Sequence, residues 1–109
     1  MSYKVKTLDI FEKQAKKLIK KYVSLKTELF QLVRQLKEEP IQGTAIGKNC
    51  YKIRLSISSK GKSKSGGARI ITNIVIKDET VYLLAIYNKS DKENLTHKEL
   101  DELLKNIPD

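Results

Sequence analysis

Tryptophan is missing from this 109-residue chain, and cysteine, methionine and histidine occur once each. A single cysteine, Cys50, excludes an internal disulfide and any cysteine-based zinc cluster; its simplest role is that of a small buried hydrophobe. No apolar run approaches the roughly 20 residues that cross a bilayer. The opening residues MSYKVKTLDIFEK also lack the apolar core of a signal peptide, so a cytoplasmic protein with no membrane partner is expected. Acidic residues are absent from one whole stretch: residues 40–77 carry eight basic groups and no acid. The flanks differ, with ten basic and five acidic groups in residues 1–39 and four basic and eight acidic in residues 78–109.

The net charge of +9 therefore has a location, and clustered Lys and Arg of this kind suit a polyanion, which they bind by releasing its counterions. Hydrophobic residues make up 39% and charged residues 32%. That is enough apolar material for one core over residues 1–109, with little left for an oligomer interface, so one domain and a monomeric chain are expected.

Tyr3 to Leu8 alternates weakly and reads as a short first strand. Asp9 follows as a helix N-cap, with Glu12 three residues on completing a capping box. Ile10, Phe11, Ala15, Leu18, Ile19 and Tyr22 mark one face of that helix, opposite Lys13, Lys16, Lys17, Lys20 and Lys21. Ser24 can cap a second helix carrying Leu25, Leu29, Leu32, Val33 and Leu36, with Pro40 past its end. Pro40 to Asn49 shows no period and reads as a connection.

From Tyr51 to Ser58 the alternation is clean, with Tyr51, Ile53, Leu55 and Ile57 on one side and Lys52, Arg54, Ser56 and Ser58 on the other. The run KGKSKSGG, Lys60 to Gly67, holds nothing that packs and reads as a loop. Ala68 to Lys77 and Val81 to Tyr87 read as two central strands joined by a tight hairpin, and Thr96 with Glu99 opens a short C-terminal helix by a capping box. The expected fold is α+β: an antiparallel β-sheet of about four strands, an N-terminal helix hairpin packed on one face, and the other face open, with Lys52 and Arg54 on it.

Chemistry-bearing residues are few. His97 directly follows an N-cap threonine and reads as an exposed first-turn residue. What remains is a set of cations and tyrosines: Lys48, Lys52, Arg54, Lys60, Lys62, Lys64, Arg69, Tyr87 and Lys89. RNA can be cleaved by such a set with no cofactor or metal, because the substrate's own 2′-hydroxyl attacks the adjacent phosphate. The protein then has to orient the backbone, stabilise charge at phosphorus and move two protons. Arginine, with a pKa above ~12, is a poor base, so proton transfer would fall to a lysine, a tyrosine or water.

The stretch Tyr51 to Leu104 resembles the RelE/HigB-like toxins of type II toxin–antitoxin modules. The marks are K-x-R on a strand (Lys52, Arg54), a Lys/Ser/Gly loop closing in SGG-x-R (Arg69), and LL-x-I-Y-x-K-S (Tyr87, Lys89) followed by D-K-x-N-L-T and a terminal helix. The resemblance implies a ribosome-dependent mRNA endoribonuclease that leaves a 2′,3′-cyclic phosphate and inhibits translation, with an acidic antitoxin as partner. On that reading Lys52, Arg54, Arg69 and Tyr87 are catalytic, while Lys48, Lys60, Lys62, Lys64 and Lys89 hold RNA. Several relatives use a histidine or glutamate that this chain does not clearly offer, which leaves the general base open, with Lys89 and Asp91 in reserve. Two other readings share the fold: a non-catalytic ParE-like toxin acting on DNA gyrase, and an RNA- or antitoxin-binding module without nuclease activity.

Overall fold

The computed structural model describes residues 2–58, 67–89 and 94–108. The elements run β1 (Lys4–Thr7), α1 (Asp9–Lys21), α2 (Leu25–Glu38), β2 (Thr44–Gly47), β3 (Cys50–Leu55), β4 (Ala68–Val75), β5 (Thr80–Asn88) and α3 (His97–Leu104), with a 3-10 turn at Ile76–Asp78 between β4 and β5. The described strands form one sheet in the order β1-β5-β4-β3-β2.

That sheet corrects the expected one in two places. It is mixed, because β1 pairs parallel with β5 from Lys4↔Thr80 to Thr7↔Leu83. The chain leaves β1 straight into two helices, and a strand whose return passes through a helical layer is free to pair in parallel. It also has a fifth strand, β2, inside the segment read as a connection. Four residues are too few to show a period. What makes β2 is its turn: Lys48 and Asn49 both take positive φ (56° and 60°), the geometry of a two-residue type I′ hairpin, and they fold Thr44–Gly47 back on β3.

The helix starts also differ in part. Asp9 lies inside α1 rather than capping it; Leu8 is the N-cap and makes no side-chain cap bond, so Asp9 and Glu12 serve as first-turn charges. At α3 the expected capping box is present, with the Glu99 amide donating to Thr96 Oγ1 (3.1 Å) and the Thr96 amide to Glu99 Oε1 (2.9 Å).

One core cluster joins Phe11, Ala15, Leu25, Leu29, Leu32 and Leu36 of α1 and α2 to Ile53, Ile70, Ile74, Leu83 and Ile86 of the sheet. The opposite face is not wholly open. There α3 lays Leu100 and Leu103 against Cys50, Ile71, Leu84 and Ala85, forming a second cluster. Layers on both sides explain why β4 and β5 are buried along nearly their whole length.

Candidate nucleic-acid interface

The face that carries α3 also carries the cations, and register decides which of them meet. Arg54 pairs with Arg69 across β3 and β4, and Arg69 pairs with Tyr87 across β4 and β5. Directly paired residues point to the same side with Cα atoms about 5 Å apart, so the three form one row about 10 Å long. The next row is Thr44, Lys52, Ile71 and Ala85.

A β-bulge puts Tyr87 in the first row. Ile71 pairs with Ala85 but Thr72 pairs with Leu83, leaving Leu84 as an extra residue. Leu84 and Ala85 consequently both pack in the α3-side cluster, and from there the alternation is shifted by one. With an unbroken period of two, Tyr82 and Leu84 would share a face from which Tyr87 is excluded.

Arg69 is 6% exposed, and its Nη1 donates to the Ala68 carbonyl at 3.2 Å. Among the described residues no carboxylate forms an ion pair with it. A guanidinium removed from water without a counterion is a standing attraction for an anion. Beside it, the Tyr87 hydroxyl is buried and has no hydrogen-bond partner. Burial pushes the Tyr87 phenol above its ordinary pKa; the Arg69 charge pulls the other way and Glu99 adds to the rise. Tyr87 is thus a neutral phenol at physiological pH, a donor with nothing to donate to.

The mouth of this row is held by short contacts. The Lys89 amide donates to the Gly67 carbonyl (3.1 Å). A Cβ at Gly67 would stand 2.3 Å from the Leu55 carbonyl oxygen, so only glycine lets β3 and β4 close up there. Below β3, Glu28 of α2 accepts from the amide (3.0 Å) and hydroxyl (2.9 Å) of Ser58.

The remaining expected residues scatter. Lys52 is half-buried and its Nζ donates to Asn94 Oδ1 at 3.0 Å, tying β3 to the segment that leads into α3. Lys48 sits in the β2–β3 turn, at the far end of β3 from Arg54, and is ion-paired with Asp101 of α3. Lys89 stands just past β5, one step beyond the row. Lys60, Lys62, Lys64 and Asp91 lie outside the described residues. His97 is exposed in the first turn of α3. Sequence reasoning missed Asn94 and Thr44 as neighbours of Lys52; neither lies in a periodic run that would have pointed to it.

Comparison with known proteins places this geometry. The model of a family described as the RelE toxin of the RelE/RelB toxin–antitoxin system matches residues 4–107. The chain belongs to the RelE toxin family. Among solved structures, the isolated E. coli RelE toxin superposes with a TM-score of 0.63 at 16% identity, covering 97% of this chain and 100% of that one. An arginine-substituted E. coli RelE in the free state gives 0.60 at 19% identity, over 99% and 100% of the two chains. The intact E. coli RelBE toxin–antitoxin complex gives 0.60 at 18% identity, over 78% and 94%. At such identities the structures establish a shared fold, that of RelE. Among the described residues no helix is long and apolar enough to cross a membrane.

Proposed function

We propose that this RelE-family chain, one toxin domain over residues 1–109, is a ribosome-dependent mRNA endoribonuclease acting in the cytoplasm and inhibited by a cognate acidic antitoxin. The observation that carries the reading is the row Arg54–Arg69–Tyr87, in which a buried guanidinium with no ion-paired carboxylate among the described residues adjoins a buried hydroxyl without a partner. A phosphodiester satisfies both. Its non-bridging oxygens accept from Arg69 and Arg54, which then hold the additional negative charge that develops when the RNA 2′-hydroxyl attacks phosphorus. The 2′-hydroxyl proton passes to water, the P–O5′ bond breaks to leave a 2′,3′-cyclic phosphate and a 5′-hydroxyl, and the neutral Tyr87 phenol can supply the proton that the departing oxygen takes up. Lys52, one row away, adds positive charge.

Lys89, with Lys60, Lys62 and Lys64, would hold the flanking backbone. Lys48, tied to Asp101 at the other end of β3, would serve a more distant RNA segment. The antitoxin partner is supported by the family and by the likeness to the chain in the E. coli RelBE complex; charge complementarity favours an acidic segment over the same cations.

The test is mapping of mRNA 5′ ends after brief induction in bacteria, for the native chain and for Arg54→Ala and Arg69→Ala. New ends at codon-phased positions, lost in both variants, are expected. Growth arrest with no new ends would remove the nuclease reading in favour of a ParE-like or binding-only toxin.

A further inference from the structure

The row Arg54–Arg69–Tyr87 has a gap at one end. β2 begins at Thr44, which pairs with Lys52, so β2 supplies no residue beside Arg54. In its place is a cavity of about 570 Å³ lined by Gln42, Gly43, Thr44, Lys52, Ile53 and Arg54. Its lining mixes polar and apolar groups, and it is large enough for one nucleotide.

Three features form the cavity. Gly43 takes φ +85°, and a Cβ there would stand 2.2 Å from the Lys52 carbonyl oxygen, so the chain before β2 runs hard against β3 and cannot carry a side chain at this point. Gln42 donates its amide nitrogen to the Glu39 carbonyl (2.9 Å), which fixes the side chain and leaves its carbonyl oxygen as an acceptor. Thr44, paired with Lys52, shares the face on which the cations lie, and it is exposed.

We infer that this cavity is a nucleotide subsite: it receives the RNA nucleotide on the side of the scissile phosphate away from Tyr87, and Gln42 and Thr44 determine which base is accepted there. The inference rests on the nuclease reading. A phosphate on Arg54 and Arg69 has one neighbouring nucleotide toward Tyr87 and the other toward this cavity. Strands are about 4.8 Å apart, so a cavity that begins at Arg54 and extends one strand spacing beyond it lies within one nucleotide's reach of a phosphate held there. An amide oxygen and a hydroxyl are the groups that read base edges by hydrogen bonds, and Lys52 neutralises the next phosphate.

The test has two arms on the full chain. In the first, amide chemical shifts are mapped with a 2′-O-methyl RNA hexanucleotide, which binds without being cleaved. Shifts at Gln42, Gly43 and Thr44 together with Arg54, Arg69 and Tyr87 are expected. In the second, the bases flanking mapped cleavage sites are compared for the native chain, Gln42→Ala and Thr44→Val, each checked for native circular dichroism. Loss of one hydrogen bond should change the relative use of bases at the adjacent position about tenfold. Shifts confined to Arg54, Arg69 and Tyr87, or a uniform fall in cleavage with an unchanged base profile in both variants, overturn the subsite and leave the nuclease reading standing. An absence of shifts at all six residues, with no cleavage by the native chain, overturns both.

Discussion

On one face of the sheet, α1 and α2 cover Ile53, Ile70, Ile74, Leu83 and Ile86 with a cluster of apolar side chains. On the other, the same strands bury Arg69, which no carboxylate among the described residues pairs, and the Tyr87 hydroxyl, which has no hydrogen-bond partner. Neighbouring residues on one strand thus serve opposite ends. Both faces bury apolar side chains, but the α3 face also holds polar groups whose interactions are incomplete until an anion arrives.

Ile70 and Arg69 test that contrast most strongly, since they are adjacent on β4 and point to opposite faces. Ile70 is fully buried, and Ile70→Ala should lower unfolding free energy by about 2–5 kcal/mol in urea titrations. Arg69→Met should leave stability unchanged or raise it, because an apolar chain of similar length replaces a buried charge that no carboxylate among the described residues pairs. Cleavage should respond in reverse, with Arg69→Met losing about 10² or more in rate. A destabilised Arg69→Met would mean that the guanidinium is a structural element and not a waiting anion site.

The strand edge next to the site offers a second break. Gly43→Ala combines a left-handed φ with a backbone clash against Lys52, and should cost about 1–3 kcal/mol by thermal or urea unfolding. Ala at Gly47, which also has positive φ (97°) but open space around it, should be milder.

Much of this contrast was readable in the sequence. The alternation from Tyr51 to Ser58 sorts Ile53 from Arg54 correctly because β3 keeps its period without interruption. Tyr87 is a different matter: β5 is apolar on both faces, so no alternation exists to orient it, and its placement depends on a bulge at Leu84 that leaves no local mark. The parallel pairing of β1 and the strand β2 were likewise beyond reach, as both are four-residue segments set by tertiary contact and turn geometry. The α3-side cluster was missed because Leu100, Leu103 and Leu104 mark an amphipathic helix without saying which surface it covers.

Alkaline titration probes the polar face more gently. Burial raises the pKa of Tyr87 and of the Cys50 thiol, although a hydrogen bond from Asn73 and the Lys48 charge partly offset the latter. The folded chain therefore keeps these protons to higher pH than the unfolded chain does. Stability should be full below the ordinary thiol value of about 8.5 and should fall as pH rises past it and then past the ordinary phenol value of about 10. Tyr87→Phe should flatten the upper part of that fall and Cys50→Ala the lower. At neutral pH, Tyr87→Phe removes a buried hydroxyl with no partner and should gain up to about 1 kcal/mol while slowing cleavage.

The smallest effect expected concerns how α3 is held on its face. Lys48 pairs with Asp101 where both side chains are about half exposed, and the hydrogen bond from Lys48 is the main reason the Asp101 carboxyl lies below its ordinary pKa. Solvent screens such a pair, so Asp101→Asn should leave the global unfolding transition in place. Its effect should be local, with faster amide exchange from Leu100 to Leu104 and no change in the strands. Because the folded pKa is depressed, the tether is intact above the ordinary aspartate value of about 3.9 and weakens as pH falls below it, so native and Asp101→Asn chains should converge in α3 exchange on acidification. Faster exchange spreading into β4 and β5 in Asp101→Asn would show instead that α3 is integral to the sheet's stability, and the two faces would then be less different than their chemistry implies.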